Sequence, residues 1–178
     1  MEEQVVLVDR QDRPLGVMGK LAAHQEGRLH RALSVVLRSA DGQKLLLQRR
    51  ASCKYHSGGA WTNTCCSHPR PGEDPEQAAV RRLREEMGIA LPGLEKLFTT
   101  VYHAPVGSGL TEHEYVHVFG CAWDGEVHPD PAEVESYAWF DAEALRRDMA
   151  MHPERYSVWF RTYADAFWER MAGVKPAA

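Results

Sequence analysis

The sequence has no long apolar run. Nowhere in its 178 residues is there a stretch near the roughly 20 consecutive apolar residues that a membrane-spanning helix needs. It has no excess of positive charge either. The net charge is −4 and the pI is near 6.1, which disfavours general binding to nucleic acid or to an anionic membrane surface. Cysteine is sparse: Cys53, Cys65, Cys66 and Cys121 form no C-x-x-C pair, and so few in a chain this long do not make a disulfide framework. The first residues, Met1-Glu2-Glu3-Gln4, lack the basic start of a secretory signal. A cytoplasmic protein with no nucleic-acid or membrane partner is therefore expected. Internal repeats and low-complexity segments are also missing. What is present is 44% hydrophobic and 26% charged, ordinary for a globular chain. The length suits one domain with a sizeable core over residues 1–178, ending in a disordered tail at 173–178.

The chain is organised around residues 61–89. Their second half predicts a helix marked at both ends. Asp74 suits the N-cap, Pro75 the first helical position, Gln77 the capping-box spacing, and Gly88 the left-handed position past the end. Ala79, Val80, Leu83 and Met87 recur at helical spacing and are expected to face a core. Arg82 and Glu86 lie one turn apart. In a helix taken alone, Arg81/Glu85 and Arg82/Glu86 also read as surface ion pairs at i,i+4. Before the helix stands Cys66-Ser67-His68, a nucleophile or acid next to a metal-type ligand.

Around this centre the pattern is strand-rich. Val5–Val8 and Gly16–Lys20 are extended pieces about a turn at 11–14. Arg31–Ser39 and Lys44–Arg50 are strands joined by Asp41-Gly42, a strong hairpin turn. Arg49, Arg50 and Lys54 concentrate positive charge at the start of a loop, and Ser57-Gly58-Gly59 makes that loop flexible. Leu94–His103 is a strand, followed by a loop at 105–109 and a longer strand, Leu110–Trp123. On that strand Glu112 and Glu114 share a face with Val116 and Val118. Either the strand end is wet and both glutamates are solvated, or two carboxylates point inward and need cations or metals. Val134–Phe140 is a further strand, with Asp141 capping a helix from Ala142 to Met149. Tyr156–Met171 is a final amphipathic helix, rich in aromatics that pack in a core by default.

Three histidines, His24, His30 and His68, with Glu112 and Glu114 could converge on one divalent ion. Two histidines flanking a loop, as His24 and His30 do, also occur as surface or packing residues. More than four mixed imidazole and carboxylate ligands do not suit a closed structural zinc site; they suit an octahedral-like Mn²⁺, Mg²⁺ or Zn²⁺.

Residues 67–89 resemble the Nudix box: Ser67, Glu73, Arg81, Arg82, Leu83, Glu85, Glu86, Gly88 and Ile89 fall in its register. Two positions depart, Ser67 at the first glycine and Arg82 at the glutamate after Arg81. In Nudix hydrolases that glutamate helps bind the metals that activate water. A cation there argues against simple pyrophosphate hydrolysis but not against diphosphate binding, because arginine holds phosphate bidentately.

A wider set of segments is similar to type I isopentenyl diphosphate isomerases. They are Lys20-Leu-Ala-Ala-His24 with Arg28-Leu-His30, Gln48-Arg-Arg50 with Lys54, Trp61-Thr-Asn-Thr-Cys-Cys-Ser-His-Pro69, the helix at 81–88, Glu112-His-Glu114, and Tyr156-Ser-Val-Trp159. They occur in the family's order over nearly the whole chain. The resemblance implies an α/β (α+β) Nudix-like fold, a mixed sheet flanked by helices, and a reversible 1,3-allylic shift in a small-molecule diphosphate. Cys66 and Glu114 match the catalytic pair. His24, His30, His68, Glu112 and Glu114 match the ligands of one metal, and Glu86 the residue that helps hold Mg²⁺ on the diphosphate. Lys20, Arg50, Lys54 and Arg82 match diphosphate contacts, and Tyr102 and Trp159 match pocket aromatics. Cys65 is expected to be structural. Two departures, the Ser57-Gly58-Gly59 loop and Ser67 between Cys66 and His68, remove no catalytic atom. A monomer or weak homodimer is expected. A Nudix hydrolase and a non-catalytic metal-stabilised binding module are the competing readings.

Overall fold

A computed structural model describes residues 3–173. Strands β1 (Gln4–Val8) and β2 (Pro14–Gly19) form an antiparallel hairpin. Helix α1 (Lys20–Glu26) follows and is closed by Gly27 at φ 62°. Strands β3 (His30–Arg38) and β4 (Lys44–Arg50) lead through short β5 (Trp61–Thr62) and β6 (Cys65–Ser67) to helix α2 (Pro75–Met87). The long hairpin β7 (Glu95–Gly107) and β8 (Leu110–Ala122), strand β9 (Val134–Asp141), helix α3 (Ala142–Met151), a 3-10 turn at Pro153–Arg155 and helix α4 (Val158–Ala172) complete the described chain.

β3 is the hub of the mixed sheet. It pairs with β1, β4 and β6 antiparallel and with β8 in parallel. Its run HRALSVVLR is buried almost throughout, as a strand covered on both faces must be. Ala32 and Val36 point to one core, shared with Val116, Val118, Phe160, Tyr163 and Trp168. Leu33, Val35 and Leu37 point to the other, shared with Ala78, Ala79, Leu83 and Met87 of α2. Helices thus flank both faces, the α+β architecture expected.

The ends of α2 form as its residues dictate. Asp74 accepts from the backbone N–H of both Glu76 and Gln77, satisfying two donors that a helix start leaves open. Glu73 takes Arg81 in a two-pronged ion pair, at 2.7 and 2.8 Å. Val80 is half-buried and packs at the edge of this core, while Ala78 is fully within it. Past the end, Gly88 has φ 68°, and the loop after β8 closes the exposed carbonyls: His128 N–H donates to Met87 O and Asp130 N–H to Glu86 O.

Several boundaries differ from the sequence reading: Lys20, expected to end an extended piece, opens helix α1, and two further differences have a clear local cause. β7 runs on through Pro105 to Gly107, where a loop is expected. Among the described residues β7 pairs only with β8, so as an edge strand it tolerates a proline that cannot donate, and a register shift lies between Pro105 and Gly107. The last helix starts at Val158, not Tyr156, because Tyr156 makes a strand-like bridge to Trp61 and Ser157 caps the helix. The expected disordered tail, apart from Gly173, lies outside the described residues.

A Cβ at Gly88 would lie 2.3 Å from His128 O. Gly88→Ala is therefore expected to cost about 2 kcal/mol or more, the left-handed backbone alone accounting for roughly 1. Urea unfolding checks this; an unchanged midpoint would contradict the seating of the 124–131 loop on α2.

Candidate active site

His24 sits on α1, His30 opens β3 and His68 follows β6, and all three are buried. His24 Nδ1 lies 2.7 Å from Lys20 O and His30 Nδ1 2.7 Å from Arg28 O. A carbonyl only accepts, so each Nδ1 carries the proton and each Nε2 presents a lone pair. Those two Nε2 atoms are buried without a hydrogen-bond partner, as is His68 Nδ1. Ligand atoms of His24, His30, His68 and Glu114 all lie within 4.8 Å of one another. Orphaned imidazole nitrogens facing a carboxylate are what a divalent ion requires, so this donor set fits one.

The two glutamates of β8 are buried, 5% and 7% exposed, which settles the wet-or-inward alternative. Pairing with neighbouring strands explains their surroundings. Glu114 is in register with His30 on β3 and with Tyr102 on β7. Its Oε1 lies 3.0 Å from His68 Nε2 and 3.6 Å from His30 Nε2. Tyr102 OH reaches Glu112 Oε2 at 2.5 Å and Glu114 Oε2 at 2.7 Å. Tyr102 is thus a link between two carboxylates as well as a cavity aromatic. Glu112 is not within the four-residue group; it falls with His24 and His56 in an overlapping one.

Cys66 pairs with Ser34, and Cys65 with Val35. Side chains alternate along a strand, so this register sends Cys66 towards α4 and buries Cys65 in the α2 core. The Cys66 thiol donates to Asn63 Oδ1 (3.1 Å), accepts from Trp159 Nε1 (3.1 Å) and lies 3.4 Å from Ser34 Oγ. Asn63 is fixed by its own amide, which donates to Val35 O and Cys65 O. Ser157 bonds Thr62 and so sets the start of α4, two residues before Trp159.

The cations surround the same cavity. Its lining includes Lys20, Arg50, Lys54, Arg82 and Glu86 together with Cys66, His68, Tyr102, Glu112, Glu114 and Trp159. His24 and His30 stand behind it. Each cation has a resting neighbour. Lys20 pairs with Glu3, Lys54 with Glu133, and Arg82 with Glu85 and Glu86. The Arg50 guanidinium lies over the Trp159 ring, 5.2 Å from its centroid.

A NUDIX domain model matches residues 28–160. A protein of Aromatoleum aromaticum named isopentenyl-diphosphate Delta-isomerase 2 is 50% identical over 93% of this chain and 86% of its own. One of Burkholderia multivorans, named isopentenyl-diphosphate Delta-isomerase, is 49% identical over 90% of each. The chain belongs to the isopentenyl-diphosphate Delta-isomerase family. Its fold recurs more widely. The crystal structure of DR0079 from Deinococcus radiodurans matches with a TM-score of 0.75 at 20% identity, covering 93% of this chain and 99% of that one.

Several residues of this isomerase-family site escape the sequence reading. His56 and Tyr55 enter from the loop after β4, Gln48 and Glu133 flank Glu86 and Arg82, and Tyr163 backs Cys66 through Ser34. The 57–59 loop folds tightly at its glycines. Ser57 and Gly59 adopt φ 50° and 77°, and a Cβ on Gly58 would lie 2.7 Å from Ser52 O. No local signal in the sequence points to His56, which reaches His24 and Glu112 only through the path of its loop.

Burial sets the protonation of the site. It pushes His68 down to about 4 and His56 to about 3, so both imidazoles are neutral at pH 7. Burial and the charge of Glu114 push Glu112 up to about 8. Glu114 goes the other way: burial opposes its charge, but His30 and His68 hold it well below the usual carboxylate range. In the metal-free chain these shifts act on stability in opposite directions. The depressed histidines withhold protons that the unfolded chain binds, so stability falls as pH drops below about 6.5. The raised Glu112 keeps a proton that the unfolded chain has lost, so stability also falls as pH rises towards about 8. A maximum near pH 6.5 is expected in urea unfolding with chelator present; stability that still climbed through pH 8 would contradict a protonated Glu112.

Proposed function

We propose that this chain interconverts isopentenyl diphosphate and dimethylallyl diphosphate by a reversible 1,3-allylic shift. The observation that carries the reading is the meeting of Cys66 and Glu114 with four diphosphate-type cations around one cavity, in a chain about half identical to relatives named for that isomerase. The chain is an enzyme of the isomerase class acting on a small-molecule diphosphate, in isoprenoid biosynthesis. It works as one domain, in the cytoplasm, as a monomer or weak homodimer. Among the described residues no helix is long and apolar enough to cross a membrane.

An isolated alkene is a poor base, and protonating it makes a tertiary carbocation. One group must deliver a proton to C4 and another must remove one from C2. Cys66 and Glu114 are that pair, and each serves as acid in one direction and base in the other. Burial pushes the Cys66 thiol up to about 12, so the thiol holds its proton at pH 7. The aromatic rings of Trp159 and Tyr102 line the cavity beside them, offering a π face to the cation without a nucleophile to trap it. Water would quench the cation, so the reaction needs a site that excludes it.

Lys20, Arg50, Lys54 and Arg82 bind the diphosphate. His24, His30, His68, Glu112 and Glu114 hold a Mn²⁺, Zn²⁺ or Mg²⁺ ion, and Glu86 helps hold a Mg²⁺ brought by the diphosphate. Such ions supply positive charge that sets the protonation of neighbouring groups and neutralises phosphate. Hydrolysis is disfavoured by Arg82, which occupies a carboxylate position of the Nudix box and bonds Glu86 at 2.6 Å.

Proton and phosphorus NMR of isopentenyl diphosphate with the protein, Mg²⁺ and trace Mn²⁺ tests the reading. Dimethylallyl resonances with an intact diphosphate are expected, and phosphate release without the shift would replace the isomerase by a hydrolase. Cys66→Ala is expected to lower the rate by about 10² to 10⁴, the usual worth of a positioned acid–base group; full activity would remove Cys66 from the chemistry.

A further inference from the structure

His56 is a fourth imidazole at the metal centre, and no local pattern in the sequence marks it. It is buried, 7% exposed, and its ring stacks on His24 at 5.8 Å and meets Trp159 edge-on at 6.0 Å. Its Nε2 lies 3.4 Å from Glu112 Oε1, and its Nδ1 lies 3.4 Å from Ser57 Oγ. A neutral imidazole has one proton to place between these neighbours. A hydroxyl can donate to Nδ1, and a Glu112 that joins an ion has lost its proton and can only accept, so in the metal-loaded site the favoured arrangement puts the imidazole proton on Nε2, facing Glu112. The other oxygen of Glu112 already takes the Tyr102 hydroxyl. The Tyr102 hydroxyl and the His56 ring, from two different elements, thus flank this carboxylate, one at each oxygen.

We propose that His56 is a positioning residue of the metal centre, holding Glu112 in the orientation in which it joins His24, His30, His68 and Glu114 around the ion. The inference rests on the metal-centre reading above. A second ion bound by His24, His56 and Glu112 does not fit beside the first: His24 has given Nδ1 to Lys20 O, and its one free nitrogen serves one ion. His56 is itself held from outside the cavity. Its carbonyl accepts from Arg50 Nη2 at 3.2 Å, and Arg50 closes the loop by backbone bonds with Gly59 and Ala60. The same residue that binds diphosphate therefore seats the side chain that orients a metal ligand.

The test is Mn²⁺ affinity of the metal-stripped full chain, read from free Mn²⁺ by electron paramagnetic resonance. Partners one step removed from a metal ligand typically contribute about 10- to 100-fold in affinity, so H56A is expected to weaken Mn²⁺ binding by that factor. H56Q, whose amide N–H can replace Nε2–H, is expected to recover most of it. If H56A does not fold, H56N, whose amide stops short of Glu112, takes its place. With Co²⁺ as a spectroscopic probe, H56Q is expected to keep the wild-type visible bands. Shifted bands would make His56 a ligand and overturn the positioning role, as would H56Q binding no better than H56A. His68→Ala is the control. If it loses Mn²⁺ while H56A does not, the His56 inference alone fails. If it also binds normally, the metal centre itself is wrong, and the inference falls with it.

Discussion

Two carboxylates buried side by side govern this structure. Glu112 and Glu114 leave water on the inner face of β8, and an unpaired buried charge is too costly for a marginally stable fold to carry. Their neighbours are the answer to that cost. β3 brings His30 beside Glu114 by parallel register, β7 brings Tyr102 across to both, and the turn after β6 brings His68. α1 and the loop after β4 then close the site with His24 and His56. Five separate parts of the chain converge on one pair of residues.

The opposite wall is built by register. A slip of one residue between β3 and β6 would bury Cys66 in the α2 core and turn Cys65 to the cavity. Asn63 and Thr64 oppose that slip. Asn63 bonds the backbone of both β3 and β6, and Thr64 takes Leu37 N–H and gives to Leu46 O. The Thr62-Asn63-Thr64 segment is thus a set of buried polar pegs that fixes which cysteine faces α4.

Much of this was legible in the sequence, and the limits are physical. The helix at 75–87 carries its own start and stop signals, and local chemistry suffices to place it. Alternation on β8 located both glutamates, and burial then chose between the wet and inward readings. Resemblance supplied His24, His30 and His68, which no local pattern singles out. His56 was invisible because its role depends on a loop whose path is set by backbone bonds from Arg50 and by the close approach at Gly58. Pro105 misled because a proline reads as a break, whereas an edge strand has a side on which a missing donor costs nothing. Val80 lies at the margin of the α2 stripe, half-buried against the core: helical spacing defines a stripe, but only the packed sheet says where its margin falls.

Lys20, Lys54 and Arg82 each rest against a carboxylate. The cleft therefore waits with most of its positive charge already spoken for, and a diphosphate arriving there takes part in an exchange of counter-ions, not in simple attraction to bare cations. Old ion pairs break as new ones form, so added salt screens both sides of the exchange. Discrimination follows from the same balance. An anion with one charge cannot displace several carboxylates at once, whereas a compact dianion or trianion can, and selection by valence is built into the resting state.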